Sequence, residues 1–261
     1  MTHAPNTHTQ HTPHNDSREQ NSSVSEEEIV RFSALAKNWW DPNGPMRLLH
    51  AMNPSRIAWA MRHMPPPLQE NSSLAHRTRV LDIGCGAGIA SESFAQAGYD
   101  VLGLDASAEG ISAAQAHFVS AHLPKHVALR YRCSNAETLV QEKQHFDVVV
   151  AFELIEHVTD PQLFMSLLAH LVKPNGTLII STLNRTLRSL MIGKIAAEYL
   201  FHFVPVGTHE WRKFILPSEL GHYARQAGLS MTALTGFSVL SGRWQESSDL
   251  GINYAAAFKK P

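Results

Sequence analysis

A doubly wound α/β fold is what this sequence predicts, and three observations carry the expectation. From Arg79 onward, short apolar runs alternate with helical segments. The first run leads into the glycine-rich turn Gly84-Cys85-Gly86-Ala87-Gly88. Acidic residues, Asp82 and Asp105, stand near the ends of the first two runs. Strands that alternate with helices form parallel βαβ units, and right-handed crossovers place helices on both faces of one sheet.

The N-terminal part reads differently. Residues 1–24 are mostly Thr, His, Asn, Pro, Ser and Gln, too polar to bury, and are expected to form a disordered tail. Its histidines, His3, His8, His11 and His14, match no metal-site spacing. Residues 25–261 are expected to form a single domain, with 25–77 as an N-terminal helical extension. Ser25-Glu26-Glu27-Glu28 has the form of a capping box, with Ser25 at N-cap and Glu28 at N3. Ile29, Phe32, Leu35, Ala36 and Trp39 then recur at helical spacing until Asp41-Pro42-Asn43-Gly44 makes a turn. A second helix is expected from about Pro54 to Met64, and residues 65–77 as a linker into the main fold.

The strands expected next are Val80-Leu81-Asp82-Ile83, Val101-Leu102-Gly103-Leu104, Val127 to Tyr131, Phe146 to Ala151 and Thr177 to Ser181. After an insertion, Leu229 to Phe237 and Asn253 to Phe258 supply two final candidates. The expected sheet is mostly parallel, with one antiparallel strand near the C-terminus.

Bulk properties narrow the function. A chain of 261 residues with 44% hydrophobic content suits one α/β domain with extensions. A formal net charge of −1 offers no general attraction to nucleic acid or to an anionic membrane. Two cysteines, Cys85 and Cys133, do not make a disulfide framework. No apolar run is long enough to span a bilayer, and neither a secretory nor a transit signal is evident. A cytoplasmic location is expected.

The glycine turn is where a ligand is expected, because glycine permits a sharp backbone turn and close approach. Its spacing is G-x-G-x-G, and Ile89 stands where a dinucleotide fold has its third glycine. A carboxylate at Asp82 would repel a pyrophosphate but suits a ligand bearing an ammonium group, such as the methionine part of S-adenosylmethionine (SAM). Asp105 can accept hydrogen bonds from both ribose hydroxyls, which NAD and SAM share. Together these residues favour SAM over NAD. Cys85 reads as a small loop residue rather than a nucleophile. In the loop Ser134-Asn135-Ala136-Glu137, polar groups either read an adenine or cap the next helix.

These motifs, with Leu171-Val172-Lys173-Pro174-Asn175-Gly176, resemble the signature of class I SAM-dependent methyltransferases. A narrower resemblance, to the ubiquinone-biosynthesis O-methyltransferases, covers most of residues 29–220. It is carried by Trp39-Trp40-Asp41, Leu49-His50 with Asn53-Pro54-Ser55-Arg56, Glu153-Leu154-Ile155-Glu156-His157-Val158, Ser181-Thr182-Leu183-Asn184-Arg185 and Val204-Pro205-Val206-Gly207-Thr208-His209. The resemblance implies methyl transfer to phenolic hydroxyls of polyprenylated rings, 2-polyprenyl-6-hydroxyphenol and 3-demethylubiquinol. It implies that Arg56 pairs with the SAM carboxylate. It also places Gly84, Asp105 and Phe152 at cofactor-contacting positions; Gly86 of the glycine turn and Ala136 of the loop after the third strand are further cofactor-binding candidates. Phe152 stands where some relatives have methionine, and its ring can still pack on adenine.

The segment after the fourth strand carries candidate chemistry. If it is helical, Glu153, Glu156 and His157 lie at i, i+3 and i+4 on one face. They would then form a site for a divalent cation such as Mg²⁺. Alternatively, His157 acts as a general base with Glu156 beside it, or all three are merely solvated. Either chemistry would favour the phenolate, since a phenol ionises only near pH 10.

Residues 185–209 form the insertion, where Leu187, Met191, Ile195 and Tyr199 recur every four residues. This amphipathic helix reads either as a lid or as a peripheral contact with the inner face of a membrane, where polyprenyl substrates reside. The competing readings are a methyltransferase for another hydroxylated ring or lipid, and a non-catalytic SAM- or lipid-binding scaffold in a biosynthetic complex.

Overall fold

The computed structural model describes residues 23–69, 76–122, 124, 127–191 and 211–261. Eight strands form one sheet: β1 Arg79–Ile83, β2 Asp100–Asp105, β3 Ala128–Cys133, β4 Phe146–Phe152, β5 Val172–Leu183, β6 Ser230–Leu240, β7 Arg243–Ser247 and β8 Asn253–Lys259. Their order is β3-β2-β1-β4-β5-β8-β6-β7. The first five are mutually parallel, and β8 runs antiparallel to both β5 and β6. The predicted class holds, with one addition. The stretch 238–252 is not a bare connection, because β6 extends to Leu240 and turns into β7, an antiparallel partner.

The helices are α1 Glu26–Leu35, α2 Arg47–His63, α3 Ile89–Gln96, α4 Ala108–Ser120, α5 Ala136–Gln141, α6 Pro161–Leu171 and α7 Pro217–Gln226. The capping signals act locally. Ser107 and Asn135 each accept a bond from the N–H three residues on, and Asp160 caps α6 with Pro161 in the first turn. The second helix starts earlier than its sequence predicts: α2 begins at Arg47 and carries Pro54 in its interior. A proline removes one helical N–H there. Burial of Met52, Asn53, Arg56, Ile57, Trp59 and Ala60 holds the helix through it.

Parallel strands covered on both faces alternate their side chains between two cores. Leu81, Val149, Leu178 and Ile180 pack with Leu139 of α5, Phe164 of α6 and Leu220 of α7. Val80, Val148, Val150 and Ile179 point the other way, onto Trp59 of α2 and Phe94 of α3. The strand order reverses between β1 and β4, both parallel. In open α/β sheets the crevice at the carboxyl ends of such strands is the ligand site. Asp82 and the glycine turn end β1, and Glu153 follows β4.

The extension folds back over that crevice. The described residues begin two residues upstream of Ser25. Ser23 N–H donates to Glu137 at 2.7 Å, and Val24 bridges Val158. The Ser33 and Ser107 hydroxyls lie 2.8 Å apart, joining α1 to the start of α4. Residues 1–22 of the expected tail, and residues 192–209 of the expected insertion, lie outside the described residues. Within the insertion, residues 187–191 are helical.

Candidate active site

Gly84, Gly86 and Gly88 all have positive φ, at 72°, 53° and 90°, a backbone that disfavours any side chain. The space a Cβ would take is filled. At Gly84 it would lie 2.7 Å from Leu154, at Gly86 within the Trp39 ring, and at Gly88 against the Tyr131 hydroxyl. The turn therefore lies under the extension rather than open to solvent. Asp105 braces it, accepting from Gly86 N–H and Ser107 N–H at 2.8 Å each. Burial raises the Asp105 carboxyl above its ordinary range, and the N–H groups of Ser107, Gly86 and Ala106 oppose that shift. Trp40 extends the cover. Its indole N–H donates to Ala87 O at 2.9 Å, and its ring stacks on His117.

Asp82 is fully enclosed, and burial raises its carboxyl to about 6 against the pull of the Ser91 hydroxyl and of Arg56. Ser91 Oγ donates to it at 2.6 Å. Arg56 is 1% exposed. Its Nη1 donates to Glu153 at 2.8 Å and to Ser181 at 3.1 Å, and its Nη2 donates to Asn53. Its Nε has no hydrogen-bond partner among the described residues. Burial lowers its affinity for its proton, and the charges of Glu153, Asp82 and Glu156 offset only part of that. Phe152 lies beneath this guanidinium, 4.5 Å from ring centre to Cζ.

One sequence expectation changes in form. The 153–157 segment is not an α-helix. Glu153 takes left-handed φ, at 49°, and only Ile155–His157 makes a short 3₁₀ turn. Glu153, Glu156 and His157 therefore do not share one helical face. Glu153 accepts from Arg56, from Ser181 at 2.7 Å and from Asn253 Nδ2 at 2.9 Å to both oxygens. Glu156 is buried and accepts from Thr182 at 2.7 Å. His157 Nδ1 stands 3.2 Å from Glu28 of α1. Among the described residues, no three His, Cys, Asp or Glu side chains are grouped to hold a metal ion. As arranged, these residues do not fit Mg²⁺.

In the loop after β3 the capping alternative is formed. Asn135 caps α5, accepting from Thr138 N–H at 3.0 Å, and Ala136 is packed in the core. Sequence reasoning missed Ser181, Asn253 and Glu28. Of these, Ser181 lay in one of the family motifs and Glu28 in a capping box, and Asn253 carried no signal.

Burial holds the Glu156 carboxyl well above its usual range, and the neighbouring Glu153 charge adds to the effect. Burial alone would lower His157. Its Glu28 partner and the charges of Glu156, Glu28 and Glu153 outweigh that and leave it raised. Three carboxylates, Asp82, Glu153 and Glu156, thus act on one buried guanidinium. The excess negative charge fits a ligand with net positive charge, and SAM, with a sulfonium and an ammonium against one carboxylate, is such a ligand.

Residues 50–234 match a family model described as a methyltransferase domain. Fold and site together define the chain as a SAM-dependent methyltransferase. It is 40% identical to the ubiquinone biosynthesis O-methyltransferase of Rhodopseudomonas palustris strain HaA2, over 89% of this chain and 92% of that protein. It is also 40% identical to the protein of the same name from Methylobacterium nodulans, over 92% and 96%. The chain belongs to the ubiquinone biosynthesis O-methyltransferase family. Among solved structures, the magnesium protoporphyrin IX methyltransferase of Synechocystis with bound S-adenosylhomocysteine has a TM-score of 0.62 at 20% identity. It covers 90% of this chain and all of its own length, and it shares the fold.

The Asp82 shift predicts a pH dependence. Its carboxyl moves from an ordinary value of 3.8 to about 6 on folding. Between those values the native chain keeps a proton that the unfolded chain has lost, so stability falls as pH rises through the window. At about 1.4 kcal/mol per pH unit the loss totals about 3 kcal/mol. Asp82→Asn removes it. In urea unfolding without cofactor, the difference between variant and parent is expected to move in the variant's favour by up to that amount from pH 4 to pH 7. A difference that stays flat contradicts the assignment.

Proposed function

We propose that this chain methylates phenolic hydroxyls of polyprenylated rings in ubiquinone synthesis, 2-polyprenyl-6-hydroxyphenol and 3-demethylubiquinol, with SAM as donor. The observation that carries the reading is a buried, net-negative crevice at the ends of β1 and β4 with an imidazole beside it. Family membership supports the substrate class.

Asp82 and the glycine turn would hold the amino-acid end of the donor, and Arg56 would meet its carboxylate through Nε. Asp105 would accept from the ribose. SAM supplies a methyl group on a positively charged sulfur, an electrophile for oxygen. The chain's own residues supply the nucleophile. His157 takes the phenolic proton, and the carboxylates of Glu28 and Glu156 stabilise the imidazolium that forms. The freed oxygen bonds to the methyl carbon as the carbon–sulfur bond breaks. The electron pair stays on sulfur, which leaves neutral. Holding the reacting atoms in near-attack geometry contributes on the order of 7–11 kcal/mol in favourable systems.

A second reading has one observation behind it. Glu153 and Glu156 stand close enough for one charge to disturb the other, as two ligands of a divalent cation would. It requires Glu153 to leave Arg56 and Asn253, and His157 to leave Glu28.

A peripheral membrane contact through 185–209 also belongs to the proposal. Leu187 and Met191 are 71% and 56% exposed on one helical turn. Arg188 lies between them in sequence, paired with Asp249 at 2.7 Å. No helix among the described residues is long and apolar enough to cross a membrane.

Two experiments test these statements. His157→Ala and Glu156→Gln are each expected to lower turnover of a demethylated ubiquinol by about 100-fold or more, the scale of general-base catalysis. Affinity for S-adenosylhomocysteine should stay within about threefold of the parent on that account. Activity that falls in chelator and returns with Mg²⁺ selects the second reading, and full activity in both variants removes the site. In liposome flotation, the parent is expected to float with anionic vesicles and a Leu187→Glu, Met191→Glu variant to remain below. Equal behaviour of the two rejects the membrane contact.

A further inference from the structure

The sheet aligns Asp82 with two other residues. In the parallel register Asp82 pairs with Gly103 of β2, and Gly103 pairs with Tyr131 of β3. The side-chain positions of such a row share one face of the sheet, and α3 covers it. The middle of the row has no side chain. A Cβ on Gly103 would lie 2.6 Å from the Tyr131 ring and 2.9 Å from Ser91 Oγ. The tyrosine ring leans over the glycine from one side, and Ser91 of α3 lowers its hydroxyl into the remaining gap. From there Ser91 Oγ donates to Asp82 Oδ2 at 2.6 Å. Both residues are buried, Ser91 completely. Its neighbours Ala90, Phe94 and Ala95 are apolar and pack with Trp59 of α2. Packing alone would be served by an alanine at 91. The hydroxyl adds the bond to the carboxylate.

We propose that Ser91 is a positioning residue for the methyl donor: its hydroxyl fixes the Asp82 carboxylate so that the other oxygen meets the donor's ammonium. The inference rests on the reading of Asp82 as the partner of the donor's amino-acid end. Two effects follow from the bond. A carboxylate held on one oxygen presents the other in one direction, which lowers the ordering cost of binding. A hydrogen bond to the charged form also favours that form. Burial pushes the Asp82 carboxyl up to about 6 although the Ser91 hydroxyl, Arg56 and the Ser91 N–H all draw it down. Without the hydroxyl the acid keeps its proton closer to neutral pH, and an uncharged acid attracts no ammonium. The other groups facing Asp82 do not take over this role. The Asp105 charge raises Asp82 further. Burial holds the Cys85 thiol and the Tyr131 phenol well above their ordinary values, so both stay uncharged at neutral pH. The Arg56 charge is shared with Glu153.

The test is calorimetric titration of the full chain with two ligands. One is S-adenosylhomocysteine, which keeps the ammonium, and the other is its analogue without the amino group. Ser91→Ala is expected to weaken S-adenosylhomocysteine by about 10-fold or more at pH 7, the scale of one hydrogen bond to a charged group. The affinity of the analogue should stay within about threefold on the same account. The sign of the pH dependence follows from the carboxyl. Its value rises in the variant, so the variant loses the anion first as pH falls. The deficit for S-adenosylhomocysteine is therefore expected to grow from pH 8 to pH 6.5. Equal weakening of both ligands across that range would reduce Ser91 to packing and overturn the inference. If Asp82→Asn binds S-adenosylhomocysteine like the parent, the underlying reading of Asp82 fails. If Asp82→Asn binds it weakly while Ser91→Ala binds it like the parent, this inference alone is overturned. Should Ser91→Ala fail to fold, Ser91→Cys, which has a weaker donor at the same place, is titrated with both ligands and judged by the same outcomes.

Discussion

The site depends on one buried ion pair, Arg56 with Glu153. Arg56 is the one Lys or Arg that is buried among the described residues. Taking such a charge out of water costs several kcal/mol unless it is paired and hydrogen-bonded. Its two Nη groups meet that requirement with Glu153, Ser181 and Asn53. Asn253 completes the Glu153 side. The pair thus joins α2, the end of β4, β5 and β8, elements distant in sequence. It also explains a strained backbone. A glutamate at φ 49° costs on the order of 1–3 kcal/mol, and four hydrogen-bonding groups from three other elements hold it there.

Charge and topology lead to the same place. The strand order reverses between β1 and β4, so the crevice there receives Asp82 from one strand and Glu153 and Glu156 from the segment after the other. One guanidinium does not balance three carboxylates. A cationic donor would relieve the desolvation that keeps the Asp82 and Glu156 carboxyls above their ordinary ranges. A pyrophosphate would worsen it. On the proposed reading, the discrimination between donor and dinucleotide is electrostatic, and it sits in the strand and its neighbours more than in the glycines.

What could be read from the sequence was local. The strands announce themselves as apolar runs, and the glycine turn, Asp82 and Asp105 lie within 25 residues of one another. Their roles follow from strand–turn–helix geometry alone. The conformation of Glu153 could not be read, because its partners Arg56 and Asn253 are 97 and 100 residues away. A helical spacing pattern at 153–157 said nothing of the force that unwinds it. Glu28 shows the same limit. Its local pattern fits a capping box, and the fold turns its carboxylate to His157, in the segment after β4. The β7 strand was hidden for another reason. Apart from Trp244, its residues Arg243–Ser247 are polar, most of them are exposed, and an edge strand needs no apolar run.

The claim that a cationic sulfur donor occupies the crevice is tested most directly by calorimetric titration of the purified chain with SAM and, separately, with NAD. The account predicts saturable heat at a one-to-one ratio with the former and none with the latter. Saturable heat with NAD alone would contradict it.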